Sequence, residues 1–179
     1  MQKFVSLLRG INVGGHRKIR MADLKTMFTN IGLHNPVTYI QSGNVIFDSE
    51  VNDVEIIELL ISKAILDTFG YQVPVLVKTS SNFDSIINNN PFYSDSVDTK
   101  KLHFTFLSRV PDVLDVKKVE LTDFGEDKFK ILGDTVYLYI ESPYHKTKLS
   151  NLFFEKQLKV STTTRNLNTS NKLVALLKK

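Results

Sequence analysis

Between Arg9 and Arg20 the chain reads Arg-Gly-Ile-Asn-Val-Gly-Gly-His-Arg-Lys-Ile-Arg, with three glycines, four Lys or Arg side chains and no acid. Glycine reaches positive φ and lets a ligand approach the backbone closely. Clustered cations favour a negative group nearby. The chemistry this suggests is the holding of a small anion, with Arg9, Asn12, Gly14, Gly15 and Lys18 as candidate ligand residues. The glycines do not follow G-x-G-x-x-G, and G-x-x-x-x-G-K-[ST] is absent, so neither a dinucleotide fold nor a P-loop is indicated. No cofactor is expected.

A second constellation is Tyr144-His145-Lys146-Thr147-Lys148-Leu149-Ser150-Asn151. Thr147 reads as a helix N-cap, which sets Lys146 and Lys148 at the positive end of the helix dipole. Cations there are disfavoured by about 0.3–1 kcal/mol each, and an anion docked on the free N–H groups would reverse that conflict. Ser150, Arg165 and Asn166 are expected at the same end, completing the candidate set. The alternative is that these lysines are solvated and screened.

Other chemistry is sparse. His16, His34, His103 and His145 show no paired spacing, and there is no cysteine, so no metal site is expected. Ser42 lacks the G-x-S-x-G elbow. Asp48, Glu50 and Asp53 surround one loop, where a helix start accounts for them. No nucleophile or acid–base pair emerges, and whether the protein is an enzyme stays open.

The elements that would position these groups follow from periodicity. Lys3–Leu8 reads as a strand, and Leu24, Met27, Phe28 and Ile31 mark a helix stopped by Gly32. Two β-rich runs, Val37–Gln41 and Asn44–Asp48, flank Ser42-Gly43, a two-residue hairpin signal. A helix spans 53–69, capped by Asn52 or Asp53, with Glu55 and Glu58 suiting its dipole and Gly70 closing it. Gln72–Val77 is a strand and Ser80–Ile87 a short helix. After residues 93–100 the order restarts: strand Lys101–Leu107, helix Pro111–Val119 with Pro at its first position, and strands Lys128–Leu132 and Thr135–Ile140 around Gly133-Asp134. A helix over 147–158 marked by Leu149, Leu152, Phe153 and Leu158, a strand Val160–Arg165 and a helix Ser170–Lys178 complete it.

Each half is therefore β-α-β-β-α-β plus a helix, the ferredoxin-like plan. The predicted class is α+β, a duplicated ferredoxin-like (βαββαβ) plan with antiparallel sheets and helices packed on them. The halves are 1–92 and 93–179, closely packed or intertwined. In such a unit the first two strands run the same way. The loop after the first strand therefore lies at the same sheet end as the hairpin between the second and third. Gln41, Ser42 and Asn44 are thereby predicted beside the Arg9 loop, as ligand groups or simply as a well-made turn.

Charge is unevenly spread over the 179 residues. The first twenty carry Lys3, Arg9, Arg17, Lys18 and Arg20 against no acid, a charge of +5. Residues 143–179 carry eight Lys or Arg against Glu155, a charge of +7, which leaves −8 between them. Either the ends form a basic face for an acidic partner, or they neutralise the acidic middle. Tyr137 and Tyr139 share a strand face, as do Phe104 and Phe106. In this fold such aromatics stack bases or fill cores, and without an RNP1 pattern the core reading is favoured. The N-terminal apolar run is too short for a signal segment, no membrane span is expected, and a reducing cytoplasm suits the absence of cysteine.

Leu7-Leu8-Arg9-Gly10-Ile11-Asn12-Val13-Gly14-Gly15, Met21-Ala22-Asp23-Leu24 and Tyr39-Ile40-Gln41-Ser42-Gly43-Asn44-Val45 together closely resemble the bacterial domain-of-unknown-function family numbered 1697. Asn90-Pro91-Phe92, Thr147-Lys148-Leu149-Ser150-Asn151 and Thr163-Thr164-Arg165-Asn166 with Asn168-Thr169 extend the resemblance over nearly the whole chain. It implies a two-part α+β protein with a duplicated ferredoxin-like plan, and no activity. Leu167 stands where that family usually has tryptophan. Pro143, Tyr144 and His145 replace glycines. Three functions remain as expectations: binding of a small anionic or phosphorylated ligand at the glycine loop, nucleic-acid binding by a basic face, and docking of an acidic protein.

Overall fold

The computed structural model describes every residue, Met1–Lys179. The chain forms two compact units, Met1–Ser85 with Lys172–Lys179, and Ile86–Asn171. Eight strands and six α-helices occur in the order β1 (Gln2–Leu8), α1 (Met21–Asn30), β2 (His34–Tyr39), β3 (Asn44–Ser49), α2 (Val54–Phe69), β4 (Val75–Thr79), α3 (Ser80–Asn88), β5 (Leu102–Leu107), α4 (Val113–Glu120), β6 (Lys128–Leu132), β7 (Thr135–Tyr139), α5 (Asn151–Leu158), β8 (Thr162–Asn166) and α6 (Leu167–Leu177). The two sheets have the orders β2-β3-β1-β4 and β6-β7-β5-β8, with every pairing antiparallel. This is an α+β protein built from two βαββαβ units, as the pattern of the sequence predicts.

In the first unit Phe4, Leu8, Val45, Phe47, Val75 and Val77 face the helices and join Leu24, Met27 and Phe28 of α1 and Ile57, Ile61 and Ile65 of α2 in one core. In the second, Leu107, Val136 and Leu138 join Val119 of α4 and Phe154 and Leu158 of α5. The opposite strand faces are buried too, through Val5, Leu7, Ile46 and Leu76 in one sheet and Phe104, Phe106 and Tyr137 in the other. That continuous burial explains why the strands read as apolar runs rather than as clean alternation.

Several local expectations need correcting. The β2–β3 connection is four residues, since Tyr39 pairs with Asn44, and Ile40 takes φ 51° inside it. Pro111 precedes the N-cap of α4, which is Asp112. Asp53 caps α2 by accepting from the amides of Glu55 and Ile56, but Glu58 accepts from Val77 N of edge strand β4 at 2.7 Å. Helix α6 starts at Leu167, not Ser170, and Leu152 of α5 is exposed while Phe154 is buried beside the predicted Leu158.

The duplication extends to single hydrogen bonds. Leu8 N donates to Gly43 O at 2.7 Å and Leu107 N to Asp134 O at 2.9 Å. Arg9 N reaches Pro74 O, and Ser108 N reaches Ser161 O. Glu58 has its counterpart in Glu155, which also accepts from an edge-strand amide, Thr162 N at 3.0 Å, two residues along the strand from the position that matches Val77. Thr79 and Asn166, each ending the last strand of its half, accept from Asn82 N and Thr169 N at the start of the following helix.

Candidate functional site

Residues 9–20 leave β1 and enter α1. Gly10, Asn12, Gly14, Gly15 and Arg17 all take positive φ, which requires glycine or asparagine at most of these places. Val13 and His16 form a bridge, with His16 N donating to Val13 O at 3.0 Å. Gly14 and Gly15, both left-handed, are the two centres of a type I′ turn. Asn12 N donates to Arg17 O at 3.2 Å, so the loop is a small closed hairpin rather than an open strap.

Asn12 is the brace of this corner. Its side-chain oxygen accepts from Ile19 N at 2.8 Å, and its amide donates to Ile19 O and to Gln41 O, each at 2.9 Å. The predicted neighbour is therefore present: the Gln41–Asn44 turn lies against the Arg9 loop. Gly43 makes the closest approach. A Cβ there would stand 2.7 Å from Leu8 Cβ and 3.0 Å from Ile11 Cδ1. Asn44 is fully buried and donates to Tyr39 O at 3.0 Å and Ser42 Oγ at 3.2 Å. Among the predicted ligand residues, Asn12 and Asn44 thus spend their side chains holding backbone. Ser42 accepts from Asn44, and Gln41 offers an exposed side chain.

The cations of the loop remain on its outer side. Arg17 and Lys18 are exposed and Arg9 is half-buried. The Arg17 guanidinium folds back over Gly10, where a Cβ would lie 3.4 Å from its Nη1. Burial, and then repulsion from Arg17, lower the Arg9 pKa from its ordinary value. Like charges brought together there favour a negative group at the rim of the loop. The initial candidate set omitted Arg17. The short side of Gly10, which leaves room for a returning side chain, was the available signal.

The second constellation is arranged differently from its prediction. Tyr144–Lys146 form a single 3-10 turn, and the N-cap of α5 is Ser150, whose Oγ accepts from Phe153 N at 3.2 Å. Lys146 and Lys148 precede the cap and are exposed, so the supposed conflict with the helix dipole does not arise. Thr147 instead donates to Asp127 Oδ2 at 2.6 Å and accepts from Leu149 N. Asn151 Oδ1 accepts from Thr162 and Thr164 of β8. The Thr-Lys-Leu-Ser-Asn motif is a set of tethers for the start of α5.

Arg165 and Asn166 also have structural tasks. Asn166 caps α6. Arg165 is buried, its Nη1 donating to Thr163 Oγ1 at 2.8 Å and Thr164 O at 2.9 Å, and burial lowers its pKa to about 10. Its ladder partner is Phe104, as that of Lys78 is Val5. With Leu8 matching Leu107, Lys78 and Arg165 occupy the same position in the two halves, and both are buried. Lys78 was missed in sequence because only the register of the two ladders reveals this equivalence. No group of three or more His, Asp or Glu side chains is placed to hold a metal ion.

A family model described as "Protein of unknown function (DUF1697)" matches residues 1–137. The chain belongs to this family. The match contains the whole Arg9–Arg20 loop and the Gln41–Asn44 turn. It ends before the second constellation. A solved structure titled as the conserved bacterial protein SP0830 from Streptococcus pneumoniae is similar over 100% of this chain and 99% of that one, with 27% sequence identity and a TM-score of 0.79. The fold likeness therefore extends beyond the family match to the end of the chain. No curated protein matches.

Proposed function

We propose that the protein binds a small, multiply charged anion, of the phosphate or carboxylate class, on the rim of the Arg9–Arg20 loop. One observation carries this reading: the loop folds Arg17 back beside Arg9, over Gly10, while the exposed Lys18 lies along Gly15 on the same loop. Two guanidiniums held close repel, and a negative group shared between them lowers that repulsion. Arg is suited to that task because its planar fork matches a phosphate or carboxylate in two-point contact. The loop's tight backbone, braced by Asn12, orders these cations before a ligand arrives. Asn12, Gly14, Gly15, Gln41, Ser42 and Asn44 shape the site; Arg9, Arg17 and Lys18 meet the ligand.

Nucleic-acid binding is the weaker reading. Phe104, Phe106 and Tyr137 are buried, so they fill a core and offer no platform for bases in this structure. The test is calorimetric titration with inorganic phosphate, pyrophosphate, citrate and a short single-stranded oligonucleotide, at low and moderate salt. A small anion is expected to bind with affinity that falls at least about tenfold in an Arg17→Ala, Lys18→Ala double variant. Binding that is absent, or that is unchanged in this variant, refutes the proposal. Tight oligonucleotide binding with a steep salt dependence would favour the other reading.

A further inference from the structure

Helix α2 is apolar on more than the side it buries. Ile57, Ile61, Ala64 and Ile65 enter the core, yet Ile56, Leu59, Leu60 and Leu66 are exposed, Leu59 at 72% and Ile56 at 54%. At 3.6 residues per turn these four fall on one outward face together with Glu55 and Lys63. The matching helix of the other half shows what that face requires. Glu58 and Glu155 both lie five residues after their N-caps and both accept from an edge-strand amide. By that match, Leu59 and Leu60 correspond to Lys156 and Gln157. The plan is satisfied by polar residues at those two positions, although α5 itself exposes Leu152 where α2 has Glu55. The unit thus does not require Leu59 and Leu60 on that face, and apolar residues exposed together are the mark of a contact surface.

The charges on this face indicate what covers it. Glu55, Leu59, Lys63 and Asp67 lie on a single i±4 ridge, in which the apolar Leu59 is flanked by acidic Glu55 on one side and basic Lys63 on the other, with the exposed Asp67 one turn beyond. Glu55 and Lys63 are both exposed and form no ion pair within the chain. In the commonest helix crossing, at about −50°, such i±4 ridges of two helices lie alongside each other. Placing a two-fold axis at Leu59 sets Glu55 of each copy opposite Lys63 of the other, four residues on either side of the axis. The ridge is complementary to itself in the antiparallel sense, as an isologous interface demands. Beside it a pocket of about 160 Å³ is lined by Ile31, Leu33, Ile56 and Leu60, with His34, Ser49 and Glu50 also in its wall. That volume is ample for a leucine side chain from the facing helix, which would enter along the Ile56 and Leu60 wall.

We propose that α2 is the interface of a two-fold homodimer, with Leu59 of each copy packed beside Leu60 of the other and Glu55 paired with the partner's Lys63. The proposal is independent of the anion site. Sedimentation velocity of the full chain from about 1 µM to about 1 mM, the range in which modest interfaces titrate, tests it. The wild type is expected to shift from monomer to dimer with concentration, and Leu59→Asp to stay monomeric with an unchanged circular dichroism spectrum. Glu55→Lys and Lys63→Glu are each expected to weaken association about tenfold, because each change enters the interface twice and sets like charges together. The double variant Glu55→Lys, Lys63→Glu is expected to restore it. A wild type that stays monomeric throughout, a dimer indifferent to Leu59→Asp, or charge reversals that do not rescue each other would overturn the proposal.

Discussion

The corner where the first strand of each half meets the following hairpin is built twice in this chain, by different means. In the second unit β5 reaches α4 through residues 108–112, and the hairpin turns in two residues, Gly133 and Asp134. In the first, β1 reaches α1 through residues 9–20, and the hairpin takes four residues. Both corners make the same closing bonds, Leu8 N to Gly43 O and Leu107 N to Asp134 O. The shorter version shows how little the fold needs. The extra length in the first unit, with its left-handed residues and its converging cations, is therefore not a requirement of the βαββαβ plan. Loops elaborated on a scaffold that closes without them are where binding residues concentrate, and this supports placing the anion site there.

If the first corner is a packed structure and not a floppy insertion, its turn glycine must be far less replaceable than the turn glycine of the second corner. Gly43 has φ 78°, and an added Cβ would stand 2.7 Å from Leu8 Cβ; Gly133 has φ 59° and nothing within 4 Å. Gly43→Ala suffers both backbone strain and a clash with another residue's Cβ, which cannot rotate away. The expected loss of stability is about 2–4 kcal/mol. Gly133→Ala suffers only the left-handed penalty, about 1 kcal/mol. Urea denaturation of the two variants measures the difference, and equal losses would show that the first corner yields as readily as the second.

The next contrast lies on the first strands themselves. Ser6 and Thr105 occupy the same ladder position, two residues before Leu8 and Leu107, and both are fully buried. Thr105 Oγ1 lies 2.7 Å from Thr164 Oγ1, whereas Ser6 Oγ has no hydrogen-bond partner. Opposite Ser6 stand Val45 and Val77, which offer none. Removing a satisfied hydroxyl costs about 1–2 kcal/mol, while removing an unsatisfied one costs nothing or stabilises. Thr105→Val is therefore expected to lower the denaturation midpoint, and Ser6→Ala to leave it unchanged or raise it. The reverse order in thermal unfolding would mean that the Ser6 hydroxyl is satisfied.

These contrasts also show where local reading of the sequence works. Asp53 and Gly70 bracket α2 because cap, dipole and left-handed stop are all written within a few residues, and Gly133-Asp134 turns as its type requires. The meeting of the Arg9 loop with Gln41–Asn44 was also legible, because strand direction in a βαββαβ unit dictates it. Thr147 was misread as a cap because both it and Ser150 are cap residues. The choice between them is made by Asp127, twenty positions away, which accepts the Thr147 hydroxyl. Asn12 and Asn44 were predicted to meet a ligand because nothing in sequence reveals that backbone carbonyls of Ile19, Gln41 and Tyr39 already engage them. On α2, apolar residues occur all round, so periodicity could not tell the buried face from the exposed one.

The smallest effect in this comparison is a pH dependence that one half has and the other lacks. His103 and Phe4 are equivalent, pairing with Leu138 and Phe47 respectively. Phe4 stacks on Phe47 with ring centroids 5.7 Å apart, and His103 stacks on Tyr144 at 4.6 Å. Burial lowers the His103 pKa from its ordinary value, against a weaker opposing pull from the Lys101 carbonyl. The folded state thus resists protonating a ring that the unfolded chain protonates near pH 6.5. Between the two pKa values the unfolded state binds more protons, so this contribution is fully present above about pH 6.5 and is lost as pH falls through the lowered folded value. Phenylalanine at the matching position of the first half shows that the plan accepts an uncharged ring there. His103→Phe is expected to retain neutral-pH stability to within about 1 kcal/mol and to flatten the stability profile between pH 7 and pH 5. The check is urea denaturation of both proteins across that range. If the two profiles stay parallel, His103 takes up its proton as easily folded as unfolded, and the acid sensitivity belongs to other groups.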